Sequence, residues 1–470
     1  DQHMYNYIHN LDKVCTYYEK NEYYKIKGVI GRFLWIIGFN SEDLRSFYSY
    51  LLKSKKKEIT FVFQSEEELL IAKGLLIILK IGNKSKIIIK YQRKLGNYLK
   101  KIIFFYKVYL YILNFKYNLK IRQNQKTDIL FFWDKYKYIE IYKLLKPNLG
   151  RKFKLLPFMN NFVIEKYLNN CLSQKYKLNF LSGNNFSNKF DIVNKLIKDT
   201  LIEIKPKKVI FAEGDSPFHS VLTSVCKELN IETICLQWGS TVWKKPRYGF
   251  RDLTCNKFLL HGKFFFNEVK NYNKIPKLFI TGNLLLKRKN LQKENKAIFL
   301  LQPKHVDPNN QFFKLMENMI IKNKEWFFLI RPHPNQDNFD MIKKYDHYKN
   351  VKIVNTKVET INQSLEKCKI SISSYSSAII DAFNYNVVPL IFNTSPLLKK
   401  YNPNIDKNKL GIETKSLPYA KKEFNKIFKN QKKLENYKKN VIRKKNFFAV
   451  LIDKKAIRKT TDIILGHRHN

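Results

Sequence analysis

Apolar and polar residues along this chain fall into short alternating blocks, and from about residue 205 the blocks become regular. Lys208-Val209-Ile210-Phe211-Ala212 predicts a buried strand, followed by the polar turn Glu213-Gly214-Asp215-Ser216. Pro217 stands where a first helical residue belongs, with the helix running to Leu229 and ending at Asn230. Glu232 to Leu236, Lys257 to Leu260 and Leu278 to Ile280 repeat the strand pattern. Each leads into a polar loop: Gln237-Trp238-Gly239-Ser240, His261-Gly262 and Thr281-Gly282-Asn283. After the polar stretch Lys287 to Lys296 the pattern restarts, with strands at Ala297 to Leu301, Trp326 to Ile330, Val351 to Val354, Lys369 to Ile372 and Val387 to Phe392. Helices are predicted near Gln311 to Lys322, Asn362 to Lys367 and Ser376 to Asn384. Strands alternating with helices of this length predict parallel βαβ units, hence an α/β fold of two Rossmann-like, doubly wound domains.

The rest of the chain is less regular. Ile59 to Phe63, after the basic run Lys53 to Lys57, and Ile129 to Trp133 read as strands. Between Lys100 and Lys120, the spacing of Ile103, Tyr106, Leu110 and Leu113 gives one apolar helical face among lysines, which suits a basic interfacial helix or a core helix equally. Lys421 to Ile464 reads as Lys-rich helices. The expected division is an N-terminal α/β domain over 1–286, a linker over 287–296, a C-terminal α/β domain over 297–440, and a helical tail over 441–470 that packs back on the N-terminal domain.

Composition narrows the class. At 470 residues the chain exceeds one ordinary core, and 44% hydrophobic with 15% aromatic residues excludes global disorder. Lys plus Arg number 88 against 39 Asp plus Glu, a net charge of +49. That excess suits an anionic partner: a nucleotide, an anionic membrane surface, nucleic acid or an acidic polymer. The abundance of Asn, Ile, Tyr and Phe beside Lys is also what an AT-rich coding genome produces, so charge alone selects no substrate. Six scattered cysteines without CxxC spacing argue against a zinc ribbon or disulfide scaffold and for a reducing cytoplasm. No apolar run of spanning length and no secretory leader is read, so a cytoplasmic or peripheral protein is expected.

The distinctive polar motifs follow strands, where open α/β sheets gather ligands. In Arg331-Pro332-His333-Pro334 two prolines stiffen the strand exit, so His333 beside Arg331 can hydrogen-bond a phosphate oxygen or form a local turn. Ser373-Ser374-Tyr375-Ser376-Ser377 opens a helix, where exposed amides and hydroxyls suit an anion; Ser376 or Ser377 also serves as a plain N-cap. Glu213-Gly214-Asp215 offers a carboxylate as general base or as a helix cap. His219 reads as an anion contact or a packed side chain, and His261 and His305 each follow a strand without a visible partner. There is no GxxxxGK[ST] or GxGxxG, which removes support for ATP hydrolysis and NAD binding. No HxH or HExxH gives a metal site, and no nucleic-acid-binding motif is found, so neither a metal nor nucleic acid is expected.

Arg331-Pro332-His333-Pro334 together with YSSAIIDAFNYNVVPLIF, Tyr375 to Phe392, resembles the nucleotide-binding half of GT-B-fold transferases of bacterial surface polymers. That superfamily holds sialyl-, polysialyl- and Kdo-transferases and CDP-glycerol glycerophosphotransferases. The segments IETICLQWGS and LFITGN resemble the closing strands of their first domain. The similarity covers roughly residues 205 to 395. It implies a GT-B-like fold with domains facing a central cleft. It further implies a nucleotide site of Arg331, His333, Ser374, Ser376, Ser377, Gly282 and Gln302, and an acceptor side of Gln237, Trp238 and His219. Two departures matter. Gln237-Trp238-Gly239 lacks the histidine of the glycerophosphotransferases' Trp-His-Gly, and Glu213-Gly214-Asp215 reorders the acidic pair plus glycine of the sialyltransferases.

The resemblance implies an inverting, metal-independent transferase without a cofactor. It would move a nonulosonic acid such as sialic or pseudaminic acid from a CMP donor to a glycan or lipid-linked glycan at the inner face of the membrane. Asp215 is the preferred base, with Glu213 the competing assignment. A polyol-phosphate transferase on the same fold, or a non-catalytic basic nucleic-acid- or membrane-binding protein, are the alternatives.

Overall fold

The computed structural model describes residues 2–20, 31, 34, 37–38, 41–53, 58–63, 66–79, 86–91, 127–133, 138–157, 194–195, 197–214, 217–237, 253–270, 276–284, 293–301, 311–333, 342–356, 358–374, 378–394, 405–448 and 454–467. The Lys100 to Lys120 stretch, Asp215, Trp238, Gln302, Ser376 and Ser377 lie outside the described residues.

Near the N-terminus, α1 (Gln2–Lys20), α2 (Glu42–Lys53) and α3 (Glu66–Ile78) accompany β1 (Glu58–Phe63) and β2 (Lys86–Tyr91), which pair in parallel. The first large sheet contains β3 (Ile129–Trp133), β4 (Phe153–Pro157), β5 (Lys208–Ala212), β6 (Glu232–Leu236), β7 (Lys257–Leu260) and β8 (Lys277–Ile280). Its helices are α4 (Ile139–Leu149), α5 (Pro217–Glu228) and α6 (Lys263–Val269). Its order is β4-β3-β5-β6-β7-β8, with every pairing parallel. Regular α/β structure therefore begins well before residue 205, because β3, α4 and β4 belong to this sheet.

The second sheet contains β9 (Lys296–Leu300), β10 (Phe327–Arg331), β11 (Val351–Ile353), β12 (Ile370–Ser373), β13 (Val388–Phe392) and β14 (Ile412–Thr414). Helices α7 (Gln311–Lys322), α8 (Ile361–Glu366), α9 (Ala378–Asn384) and α10 (Leu417–Lys429) accompany it. Its order is β11-β10-β9-β12-β13-β14, again all parallel. Taking β9 as strand one, that is 3-2-1-4-5-6, the doubly wound dinucleotide-fold order.

Central strands β5 and β9 are apolar after their first lysine because both faces are covered. Val209 and Phe211 of β5 enter one core cluster while Ile210 and Ala212 enter another. In β9, Ile298 and Leu300 face the first of these, and Ala297 and Phe299 a third. Helix α5 starts at Pro217 and is followed by Asn230 in the left-handed region at φ 54°, the stop that its sequence predicts.

The chain returns from the second sheet through α11 (Gln431–Phe448) and α12 (Lys454–Leu465). Helix α11 touches α6 and α9, and a Cβ on Gly262 would lie 2.4 Å from the Phe448 carbonyl oxygen, so the approach requires glycine there. Helix α12 packs on α4, with Ile463 and Ile464 in the core under the first sheet. Lys208 Nζ donates to the Ile464 carbonyl at 2.6 Å and Lys257 Nζ to the Ile463 carbonyl at 3.3 Å. Glu232 pairs with both lysines, so two cations sit at the negative end of α12. In the stretch expected to be linker, Lys293 donates to the carbonyls of Leu365 and Glu366 at the end of α8, and burial pushes its amine down to about 8.

Candidate functional site

Strand order decides which loops meet. In the second sheet the order reverses between β9 and β12, and ligands of such folds sit beyond the carboxyl ends of the strands at that point. Leu300 at the end of β9 is flanked by Arg331 of β10 and Ser373 of β12. The loops carrying His333 and Ser374 therefore leave the sheet on either side of β9, about two strand spacings or ~10 Å apart. Two motifs forty residues distant in sequence are brought to one edge.

Within that edge the side chains divide. His333 is partly exposed just beyond Pro332. Arg331 instead turns onto its own domain. Its Nη1 donates to the Glu359 carbonyl at 2.9 Å and to Ser364 Oγ at 3.0 Å, and Ser364 donates on to the Glu359 carboxylate at 2.6 Å. Burial lowers the guanidinium from its usual value and Glu359 partly offsets this, so Arg331 secures the loop before α8. Ser374 is buried, and its hydroxyl shares a 2.8 Å hydrogen bond with Thr394 Oγ1, tying the loop after β12 to that after β13.

Beyond the serine loop lies a residue absent from the sequence reading. Asp381, in the first turn of α9, is partly buried, and desolvation pushes its carboxyl up to about 7. The available signal was a single acid inside the otherwise apolar AIIDAFN. A carboxyl that changes charge near neutrality beside a strand-end loop is a candidate functional position. The shift also has a stability consequence. With a folded value near 7 against an ordinary 3.8, the group stabilises the fold below about pH 4 and loses that contribution as pH rises through 7. Asp381→Asn is expected to melt a few degrees above the parent at pH 8, with the difference closing towards pH 4. An unchanging difference across a pH series of thermal melts would contradict this.

In the first sheet the reversal falls between β3 and β5, and β5 runs directly into Glu213. Glu213 (φ 73°) and Gly214 (φ 75°) are both left-handed, and the Glu213 amide donates to the Leu236 carbonyl at 3.0 Å. A Cβ on Gly214 would approach Cys235 Sγ to 2.8 Å and Leu253 Cδ2 to 2.9 Å, so this turn admits no side chain there. A glutamate held at positive φ costs backbone energy, and such positions concentrate at functional sites.

The acceptor-side residues are more enclosed. Gln237 is buried after β6. Its Oε1 accepts from the His261 amide at 2.9 Å, and its carbonyl is 2.8 Å from His261 Nε2. Burial drives His261 down to about 4, so the ring is neutral and its Nε2–H donates. His219 is 1% exposed, with its ring 4.9 Å from that of Phe211 and 6.3 Å from that of Phe132, a core side chain of α5. Gly282, at φ 96°, follows β8 at the edge of the first sheet rather than the second, its amide donating to the Leu260 carbonyl. Among the described residues no cluster of three His, Cys, Asp or Glu has metal-binding geometry.

No protein-family model matches this sequence, and no curated protein matches it. Solved structures do resemble it. A protein assigned as a UDP-N-acetylglucosamine 2-epimerase from Listeria monocytogenes superposes with TM-score 0.51 at 10% identity, over 73% of this chain and 97% of that one. The UDP-GlcNAc 2-epimerase from Neisseria meningitidis gives 0.48 at 12% identity over 73% and 100%. MurG from Acinetobacter baumannii gives 0.48 at 9% over 73% and 100%. At such identities the likeness is one of fold, and with two parallel six-stranded sheets in sequence the chain has a GT-B-like architecture of two Rossmann-like domains.

Proposed function

We propose that this chain is an inverting, metal-independent glycosyltransferase that moves a nonulosonic acid from a CMP donor to a glycan or lipid-linked glycan. The observation that carries the reading is the strand order of the second sheet, which sets the His333 loop and the serine loop on either side of β9 at the reversal point. In this reading His333 donates a hydrogen bond to the departing phosphate, with Ser376 and Ser377 holding its other oxygens. Stabilising charge as it develops on the leaving group takes the part a cation plays in other transferases. An acid of the Glu213-Gly214-Asp215 turn removes the acceptor hydroxyl's proton while the new bond forms at the anomeric carbon and the bond to CMP breaks. The left-handed backbone of Glu213 supports giving it that role ahead of Asp215. Arg331 and Ser374 act as positioning residues for the phosphate loops. The choice of cytidine rests on the His-Pro and Ser-Ser motifs, since the structural likeness bears on fold alone.

The enzyme is further proposed to work as a peripheral protein at the inner face of the membrane. Supporting this are the net charge of +49 and the absence, among the described residues, of a helix long and apolar enough to cross a bilayer.

A ligand that binds only the folded state raises its melting temperature. CMP or CDP is expected to do so more than AMP, GMP or UMP, and turnover is expected to survive EDTA. Equal shifts from every nucleotide, a preference for uridine nucleotides, or activity lost to chelation and restored by manganese would overturn the reading. Use of CDP-glycerol in place of CMP-sugars would move the chain to the polyol-phosphate transferases.

A further inference from the structure

Helix α11 carries seven Lys or Arg and one acid in eighteen residues, and its cations are not equivalent. Lys433 and Lys438 pair with Glu423 and Glu435, and Lys445 turns inward to Asn386. Lys432, Lys439 and Arg443 are exposed and have no acidic partner among the described residues. At about 100° per residue these three lie within roughly 40° of one another around the helix, opposite the buried Leu434 and Val441. The stripe is flanked by Ile442, 44% exposed, and Phe447, 40% exposed. The Phe447 ring is held against Phe264 of α6, with centroids 6.1 Å apart, so it projects as a supported apolar tip rather than a loose side chain.

We propose that this outward face of α11 is the surface by which the protein docks on an anionic lipid membrane. The charge stripe meets acidic headgroups while Ile442 and Phe447 enter the interfacial layer, an arrangement that uses both halves of the patch. A nucleic acid would be served by the cations alone and leaves the two apolar tips without a role. The inference rests on the peripheral-membrane part of the reading above and assigns it a place; it does not depend on the donor or the reaction.

Vesicle flotation tests it, using phosphatidylcholine with and without phosphatidylglycerol. The parent chain is expected to float with the anionic vesicles at low salt. The triple variant Lys432→Gln, Lys439→Gln, Arg443→Gln should lose roughly 100-fold in partitioning, about fivefold for each basic residue. Ile442→Ser with Phe447→Ser should retain low-salt binding and lose what survives at high salt. A control with Lys322, Lys324 and Lys349 replaced by Gln, exposed cations on other elements, should float like the parent. All are exposed positions, and unchanged melting temperatures would confirm folding. If the control loses as much as the α11 triple variant, diffuse charge does the binding and this surface is wrong. Should the parent float with neither vesicle, the peripheral reading fails and takes the proposal with it. Salt-sensitive duplex DNA binding that depends on the three cations, without vesicle binding, would reassign the face to nucleic acid.

Discussion

Replacing Glu213 by Gln is expected to lower turnover by about 10²- to 10⁴-fold while leaving nucleotide affinity nearly unchanged. General-base removal costs that much when the base acts only in the transition state. The residue follows β5 of the first sheet, whereas the proposed phosphate loops follow strands of the second, so donor binding should not feel the change. Asp215→Asn is the comparison: a larger loss there than at Glu213 would transfer the base role. The strain at Glu213 gives a separate handle. With φ at 73°, glycine fits this backbone better than glutamate. Glu213→Gly is therefore expected to melt no lower than the parent while turning over as poorly as Glu213→Gln. A glycine variant both inactive and strongly destabilised would mean that the side chain holds the turn together and does no chemistry.

His333→Ala is expected to reduce kcat about 10²- to 10³-fold, the usual consequence of losing one preorganised donor to a developing charge. Replacing Ser376 and Ser377 together by Ala should act differently, weakening nucleotide binding more than it slows turnover, because a phosphate held equally in ground and transition states contributes to affinity and not to rate. The contrast is measurable as kcat against Kd for the donor nucleotide. Near-parent turnover of His333→Ala on the true donor would reduce the His-Pro pair to a turn.

Much of the architecture from residue 205 onward is legible in the sequence, for identifiable reasons. Strands such as β5 and β9 are buried on both faces, so each appears as an unbroken apolar run between polar loops, and Pro217 and Asn230 bracket α5. Other parts depend on information no local pattern carries. Strands β3 and β4 join the first sheet by pairing with each other and with β5, which follows β4 by about fifty residues, and nothing in their own composition announces that partner. The candidate site divides similarly. The edge carrying His333 and the serine loop could be anticipated from motifs that follow strands. The fate of individual side chains could not, since Arg331 finds Glu359 and Ser364 only once α8 folds beside it. Gly282 reads as a strand-end loop glycine of the first domain, and the strand order adds that its strand is the outer edge of that sheet. Asp381 reads as a polar residue of a short helix until its surroundings raise its carboxyl towards neutrality.

The most direct test is donor turnover by the purified chain. Incubated with a CMP-activated nonulosonic acid, and separately with UDP-N-acetylglucosamine and CDP-glycerol, it is expected to release CMP from the first donor alone. That release should rise when a glycan acceptor is added, should persist in EDTA, and should collapse in both Glu213→Gln and His333→Ala. Release of UDP from the uridine donor with no turnover of the CMP sugar, or no turnover of any donor by a chain that binds nucleotide, would contradict the account.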